Sequence, residues 1–151
     1  IVWAAQGITS KRGFRTAPSA GAGFPLEIYV VRKQGLFYYV PHEHKLIEKE
    51  PSDLRQKLAE AAYGQVFIAE APVNIVICAV YERVTKRYGE RGVRYTHIEV
   101  GHAAQNVHLE AVVLGLSSIA IGAFSDSAVS KLLGLPSEER PLYIIPVGHK
   151  K

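Results

Sequence analysis

The chain has 151 residues, of which 48% are hydrophobic and 21% charged, and it carries a formal net charge of +4. This composition is typical of one globular domain with a buried core, and no apolar run approaches the ~18 residues of a transmembrane helix. Cys78 is the only cysteine, so an internal disulfide is excluded. We therefore expect a single domain over 1–151, located in the cytoplasm and without a membrane partner.

The first half of the chain predicts the tail of a helix followed by strands. Extended apolar runs, turn residues and helical periodicity place the early elements at 1–5 (helix), 27–33, 36–40 and 45–49 (strands), and 53–65 (helix). The second half predicts a buried strand at 73–80, helices at 81–88 and 96–114, a strand at 118–122, a brief helix ended by Gly134, and a strand at 141–147. Because strands and helices follow no regular βαβ rhythm, the sequence favours an α+β fold.

The densest basic segment lies between Arg83 and Tyr95, where basic residues alternate with tyrosines. Such a segment could bind nucleic acid through phosphate contacts and base stacking. No helix-turn-helix, zinc-finger or RNA-binding signature accompanies it, so we expect a charged connection or a site for a small phosphorylated ligand, and no nucleic-acid partner. The chain also lacks a Rossmann or P-loop glycine motif.

A loop of small residues precedes the first predicted strand. It contains Arg15, Ser19, Gly21 and Gly23. Glycines let a backbone approach a flat ligand closely, and an arginine with a serine can hold a phosphate or a polar ring edge. An ordinary surface loop explains the same residues, so the loop alone leaves both interpretations open.

Together with later segments, this loop resembles the FMN-dependent nitroreductase family, and most closely its SagB-type dehydrogenase branch. The matching segments occur in the family's order and cover nearly the whole chain: Trp3–Thr9, Arg15–Gly21, Gly35–Tyr39, Lys86–Gly92, Ile98–Asn106, Leu114–Leu116, Ile121–Phe124 and Pro146–Gly148. The resemblance implies a central mixed β-sheet flanked by helices. It also implies an intertwined homodimer with two FMN sites at the subunit interface, each built from both chains.

The same resemblance implies which residues face the cofactor. They are the early-loop residues Arg15, Pro18, Ser19, Ala20 and Gly21, the late-bend residues Ile121, Gly122 and Ala123, and the terminal cations His149 and Lys150. Backbone N–H groups of the late bend would face flavin N5 and O4, although Gly122 also fits a simple strand-end turn. The residues expected to border the substrate mouth are Tyr88, Arg91 and Arg94.

The function implied is hydride transfer from NADH or NADPH to flavin N5 and then to a small-molecule acceptor, in a ping-pong cycle. Because the flavin carries the hydride, no catalytic side chain is assigned. Two alternatives stay open. One is an azoline-type dehydrogenase or oxidase of peptide modification, and the other is a flavin-binding module without turnover.

Three further expectations concern single features. The chain begins mid-pattern and has no counterpart of the family's N-terminal arginine motif, so we expect an N-terminal segment to be missing and FMN affinity to be reduced. Glu99, with neighbouring polar residues of the same helix, fits either an acid–base group or, as we favour, a buried interface network. His42 and His44 lack the partners of a metal site, so no metal is expected.

Overall fold

The computed structural model describes residues 1–150. Its helices are α1 (Val2–Gln6), α2 (Arg55–Ala61), α3 (Val66–Glu70), α4 (Glu82–Tyr88), α5 (Arg91–Val113) and α6 (Asp126–Leu133), with a 3-10 turn at Ala20–Ala22. Its strands are β1 (Leu26–Arg32), β2 (Gly35–Val40), β3 (Lys45–Glu50), β4 (Val73–Val80), β5 (Ser117–Ser118) and β6 (Glu139–Gly148). The α+β class predicted from the sequence is confirmed.

The strands form one six-stranded sheet in the order β3-β2-β1-β4-β6-β5. Every pairing among the described residues is antiparallel, so the expected mixed sheet is wrong in this respect. Short turns join β1 to β2 and β2 to β3, and a short turn can join only antiparallel neighbours. Three longer connections carry helices, between β3 and β4, between β4 and β5, and between β5 and β6, and each strand that they lead to pairs antiparallel with its neighbours in the sheet.

Helices cover both faces of the sheet. Residues of α1 and α5, such as Ala5 and Val107, share one core with Ile28 of β1. Residues of α2, α3 and α6 share the other core with Tyr29 and Val31 of the same strand. Because successive strand residues point to opposite faces, burial of both faces explains why β1 and β4 are continuous apolar runs. Within residues 1–150, no helix has both the length and the apolar character needed to span a membrane.

The long helix α5 begins at Arg91, five residues before its predicted start at 96. Its first turns carry no apolar stripe, because Val93 is largely exposed. Gly92 lies at a close crossing with α4, where an added Cβ would be 2.8 Å from the Thr85 backbone. The helix therefore begins where α4 allows a close backbone approach, which hydrophobic periodicity does not report.

The predicted strand at 118–122 is shorter than expected. Regular pairing with β6 covers only Ser117 and Ser118, and an isolated bridge then joins Ile121 to Ile144. Pro146 of β6 has no N–H and so cannot donate to this ladder, which is interrupted beside it. The predicted helix at 53–65 also ends early, at Ala61, and the short helix α3 was not predicted.

Candidate functional site

The early loop is held by a small set of polar contacts. The Arg15 guanidinium donates to the Gln6 carbonyl at 3.0 Å and lies over the Phe24 ring. The Ser19 hydroxyl accepts a hydrogen bond from the Phe24 N–H at 2.8 Å. Arg83 of α4 donates to the Phe24 carbonyl at 3.1 Å and pairs with the carboxylate of Glu27. The loop is therefore anchored to α1, α4 and β1 rather than free on the surface.

The turn at Gly21 is packed directly against α4. Gly21 has a φ of 59°, in the left-handed region that favours glycine. A Cβ at this position would lie 2.7 Å from the Tyr88 hydroxyl and 3.0 Å from an Arg87 nitrogen. Pro18, by contrast, is exposed. The structure thus brings Tyr88, predicted to border the substrate mouth, beside the predicted cofactor loop.

Glu99 of α5 is buried behind this loop, with an exposed fraction of only 2%. Burial raises its pKa to about 7, although the nearby Ser19 hydroxyl and the Arg15 charge partly oppose the rise. No hydrogen bond of good geometry reaches either carboxylate oxygen within residues 1–150. His102, one turn further along α5, is exposed, so the two residues do not form the pair that an acid–base group would need.

The late bend contains Ile121, Gly122 and Ala123. Ile121 is buried and paired with Ile144, whereas Gly122 and Ala123 are exposed. The Gln65 side chain donates to the Ala123 carbonyl at 2.9 Å and so fixes the orientation of that peptide. Across the part of the chain that the structure describes, the N–H groups of Gly122 and Ala123 have no acceptor. Two adjacent free donors on small residues are available to a ligand.

The loop and the bend belong to different cores of one chain. Ala17, next to the loop's serine, packs in the core with α1 and α5, while Phe124 packs in the core with α2, α3 and α6. Within one chain, the two segments are therefore anchored in separate cores and make no hydrogen bond to each other among residues 1–150.

The remaining predicted residues lie in two open grooves. His149 lines a groove of about 270 Å³ with Ser117, Ile119 and Gly148, and Lys150 is exposed beyond it. Arg91 and Arg94 line a separate groove along the first turns of α5. Neither arginine has an ion pair with another described residue.

Other polar residues have local roles. Cys78 is fully buried and burial raises the pKa of its thiol, so this side chain packs in the core and is not a reactive thiolate. The His44 ring bonds the Tyr39 hydroxyl at 2.9 Å. Asn106 donates to the Thr16 carbonyl, tying α5 to the early loop. No group of three metal-ligating side chains occurs among residues 1–150.

The model of the nitroreductase family matches residues 1–149. Several similar proteins carry the description "putative nitroreductase". One is MJ1384 of Methanocaldococcus jannaschii, which is 47% identical over 99% of this chain and 78% of its own length. This chain belongs to the nitroreductase family. Another is a protein of Anabaena variabilis, whose crystal structure matches this chain with a TM-score of 0.90 and 31% identity over 96% of this chain. This chain spans only 33% of that protein.

More distant relatives extend the comparison. The NADPH-flavin oxidoreductase of Vibrio harveyi is 30% identical over 69% of this chain, and the microcin B17-processing protein McbC of Escherichia coli is 26% identical over 80%. The chain spans about half the length of each, 47% and 48%. The family prediction is confirmed, as is the fold, while the assignment to the SagB-type branch stays a prediction.

Sequence reasoning did not single out the residues that support the site. Gln65 is separated from Ala123 by 58 positions, and Tyr143 lies 3.7 Å from the position of a Cβ on Gly122. Arg83 was noted only as part of a basic segment, yet it anchors the end of the early loop. A glutamine in a turn and a tyrosine in a strand carry no local signal for such contacts.

Proposed function

We propose that this protein is an FMN-dependent oxidoreductase that takes a hydride from NADH or NADPH and passes it to a small-molecule acceptor. When bound, FMN supplies the redox chemistry, and the protein binds, orients and shields it. The observation that carries the proposal is the pair of free N–H donors at Gly122 and Ala123, on an exposed bend of small residues in a chain of this family.

The residues fit an isoalloxazine ring on physical grounds. A flat ring with polar edges needs close backbone approach and backbone donors, and the late bend offers both because its side chains are small, while Gln65 holds the adjoining Ala123–Phe124 peptide in place. The early loop offers Ser19, Ala20 and Gly21 as a second small-residue surface. We assign His149 and Lys150 to the phosphate, because cations satisfy phosphate charge.

A second copy of the chain would complete each site. An apolar surface with no partner in the described chain runs along α1 and the end of α5, with Trp3 47%, Leu109 58%, Val112 72% and Val113 80% exposed. Exposed apolar clusters of this kind mark interaction surfaces. We assign this surface to a homodimer, in which the early loop of one copy meets the late bend of the other.

Absorbance spectroscopy tests the proposal. Purified protein supplied with FMN and freed of excess ligand should retain a flavin spectrum, and anaerobic NADPH or NADH should bleach it. Val112→Asp should shift the protein to a monomer in sedimentation and release the flavin, whereas the exposed substitution Lys49→Asp on β3 should do neither. Protein that retains no flavin would refute the cofactor assignment. Protein that retains flavin but is reduced by neither NADPH nor NADH would favour the alternative of a flavin-binding module that catalyses no reaction.

The likeness to McbC supports a second candidate reaction, oxidation of an azoline ring in a peptide with oxygen reoxidising the flavin. Tyr88 beside the Gly21 turn and the two groove arginines Arg91 and Arg94 are the residues we assign to substrate in either reaction. Oxygen uptake that depends on an azoline peptide, and not on a nicotinamide nucleotide, would select this candidate.

A further inference from the structure

Arg91 and Arg94 lie three residues apart at the start of α5 and line one groove. Arg55 and Arg83, by contrast, each pair with a carboxylate. Neither Arg91 nor Arg94 makes an ion pair or lies over an aromatic ring within residues 1–150. Because residues three apart on a helix are neighbours on its surface, both guanidinium groups can reach the same anion.

The groove that holds these arginines is basic overall. His97 lines it as well, and among the residues described Glu90 is the one carboxylate that does so. The Tyr81 hydroxyl and His97 Nε2 are 2.5 Å apart. Burial raises the pKa of Tyr81, so the phenol keeps its proton and donates it to Nε2. The other ring nitrogen, Nδ1, then carries a proton that a ligand can accept.

This basic groove leads toward the late bend. Arg94, His97 and Gly101 follow helical spacing along one side of α5. His97 also lines a second groove together with Gly101 and Tyr143, so the two grooves meet at this histidine. The Tyr143 ring lies 3.7 Å from the position of a Cβ on Gly122 of the bend. From Gly101 back to the arginines the helix extends roughly 10–15 Å, at about 1.5 Å per residue. An elongated ligand at the bend can therefore reach the arginines.

We propose that Arg91 and Arg94 bind the 2′-phosphate of NADPH and thereby make NADPH, rather than NADH, the preferred electron donor. This inference rests on the proposed function, which places the hydride acceptor at the late bend. The nicotinamide must then lie beside Gly122, and the adenosine end of the dinucleotide extends along the groove to the arginines. His97, between the two ends, is assigned to the diphosphate that links the two nucleotides.

The charges of NADPH and NADH differ at the position where the arginines lie. A phosphate monoester carries close to two negative charges at neutral pH, and arginine binds phosphate through two parallel hydrogen bonds. NADH has a neutral hydroxyl there and gains no such contact. The two arginines outnumber the single carboxylate of Glu90, so the groove keeps an excess of positive charge for this phosphate.

The first test compares the flavin-loaded wild type with the double variant Arg91→Gln/Arg94→Gln. Initial rates with NADPH and with NADH give kcat and KM for each nucleotide. The double variant should raise KM for NADPH about 10- to 100-fold more than KM for NADH, as expected for the loss of hydrogen bonds between charged groups. The effect should be greater on KM than on kcat, because the phosphate lies far from the reacting atoms.

A matched control removes the same two charges elsewhere. Lys33 and Lys49 are exposed and lie outside the groove, in the β1–β2 turn and on β3. Lys33→Gln/Lys49→Gln should keep the NADPH preference of the wild type. A preference that fell equally in both double variants would mean that net charge attracts the nucleotide, and it would overturn the assignment to Arg91 and Arg94.

Binding of nucleotide fragments to the flavin-free protein keeps the second test independent of the proposed function. Adenosine 2′,5′-bisphosphate contains the 2′-phosphate and no nicotinamide, while 5′-AMP lacks the 2′-phosphate. In calorimetry, the wild type should bind the bisphosphate at least about tenfold more tightly than 5′-AMP, and Arg91→Gln/Arg94→Gln should bind the two alike. If the protein retains no flavin, the proposed function fails while this comparison still decides the role of the arginines.

Two results would refute the role of the arginines. One is a flavin-loaded wild type that NADPH and NADH reduce with equal efficiency, which leaves the proposed function intact. The other is a flavin-free wild type that binds the bisphosphate no more tightly than 5′-AMP, or a preference for the bisphosphate that survives in the double variant.

Discussion

Burial of Glu99 predicts that removing its charge stabilises the protein at alkaline pH. Burial raises the pKa of this carboxyl from its ordinary value of 4.5 to about 7 in the folded chain, and the residue is 2% exposed. The folded state therefore holds the proton more tightly than the unfolded state. The stability contributed by protonation is fully present below pH 4.5 and is lost as the pH rises through 7. One pKa unit is worth about 1.4 kcal/mol, so the loss amounts to about 3 kcal/mol.

Glu99→Gln abolishes this titration. We expect the free energy of unfolding of the flavin-free variant to exceed that of the wild type by about 3 kcal/mol at pH 8, with the difference vanishing near pH 4.5. Urea unfolding at one fixed protein concentration measures this difference, because association between copies adds to stability. Glu110→Gln should change the free energy of unfolding by no more than about 0.5 kcal/mol.

Two results would refute the reasoning. Equal stabilities of wild type and Glu99→Gln at pH 8 would mean that the carboxylate is well solvated or well paired. A difference that does not depend on pH would mean that the amide changes packing rather than charge.

Two other contacts of the early loop give further predictions. Gly21→Ala should destabilise the protein by about 2–4 kcal/mol in urea unfolding, since it combines a left-handed backbone with a contact to Tyr88. Gly64 has a φ of 76° and no atom near the position of a Cβ, so Gly64→Ala should lower the free energy of unfolding by only about 1–2 kcal/mol. Adding Tyr88→Phe to Gly21→Ala should recover part of the lost stability, because it removes the hydroxyl that the new Cβ contacts. Arg83→Ala should cost about 1–3 kcal/mol, because it leaves the carboxylate of Glu27 without its cation, and Arg83→Lys should restore part of that loss. Equal costs for the two glycine substitutions, or no loss in Arg83→Ala, would contradict this description of the loop.

Much of the fold follows from local patterns in the sequence. The apolar run at 73–80 has the bounds of β4, and the helix predicted to end at Gly134 does so, with Ser125 as its N-cap. These elements are predictable because burial on both sheet faces gives continuous apolar residues, and because caps and left-handed glycines mark helix ends. The ordered motifs of the chain also sufficed to predict its family.

What could not be predicted depends on contacts between distant segments. Helical periodicity places Glu99 and His102 on neighbouring positions of one face, yet Glu99 is buried and His102 is exposed, because tertiary packing around α5 decides which positions of that face are covered. The link from Gln65 to Ala123 is equally invisible in the sequence, since it depends on how α2 and α3 pack beside β6. Local pattern thus gives the elements, and tertiary packing gives the environment that decides the chemistry.

The early loop concentrates conformational cost in one short segment. Besides Gly21, the non-glycine residues Ala22 and Phe24 have φ values of 54° and 43°, each of which costs on the order of 1 kcal/mol. Both carboxylate oxygens of Glu99, whose pKa is affected by Ser19 and Arg15 of this loop, lack a hydrogen bond within residues 1–150. A surface loop without a ligand could relax both costs by moving a few ångströms outward. Their presence together, in a segment anchored by Arg83 and Asn106, is what a preorganised binding surface requires.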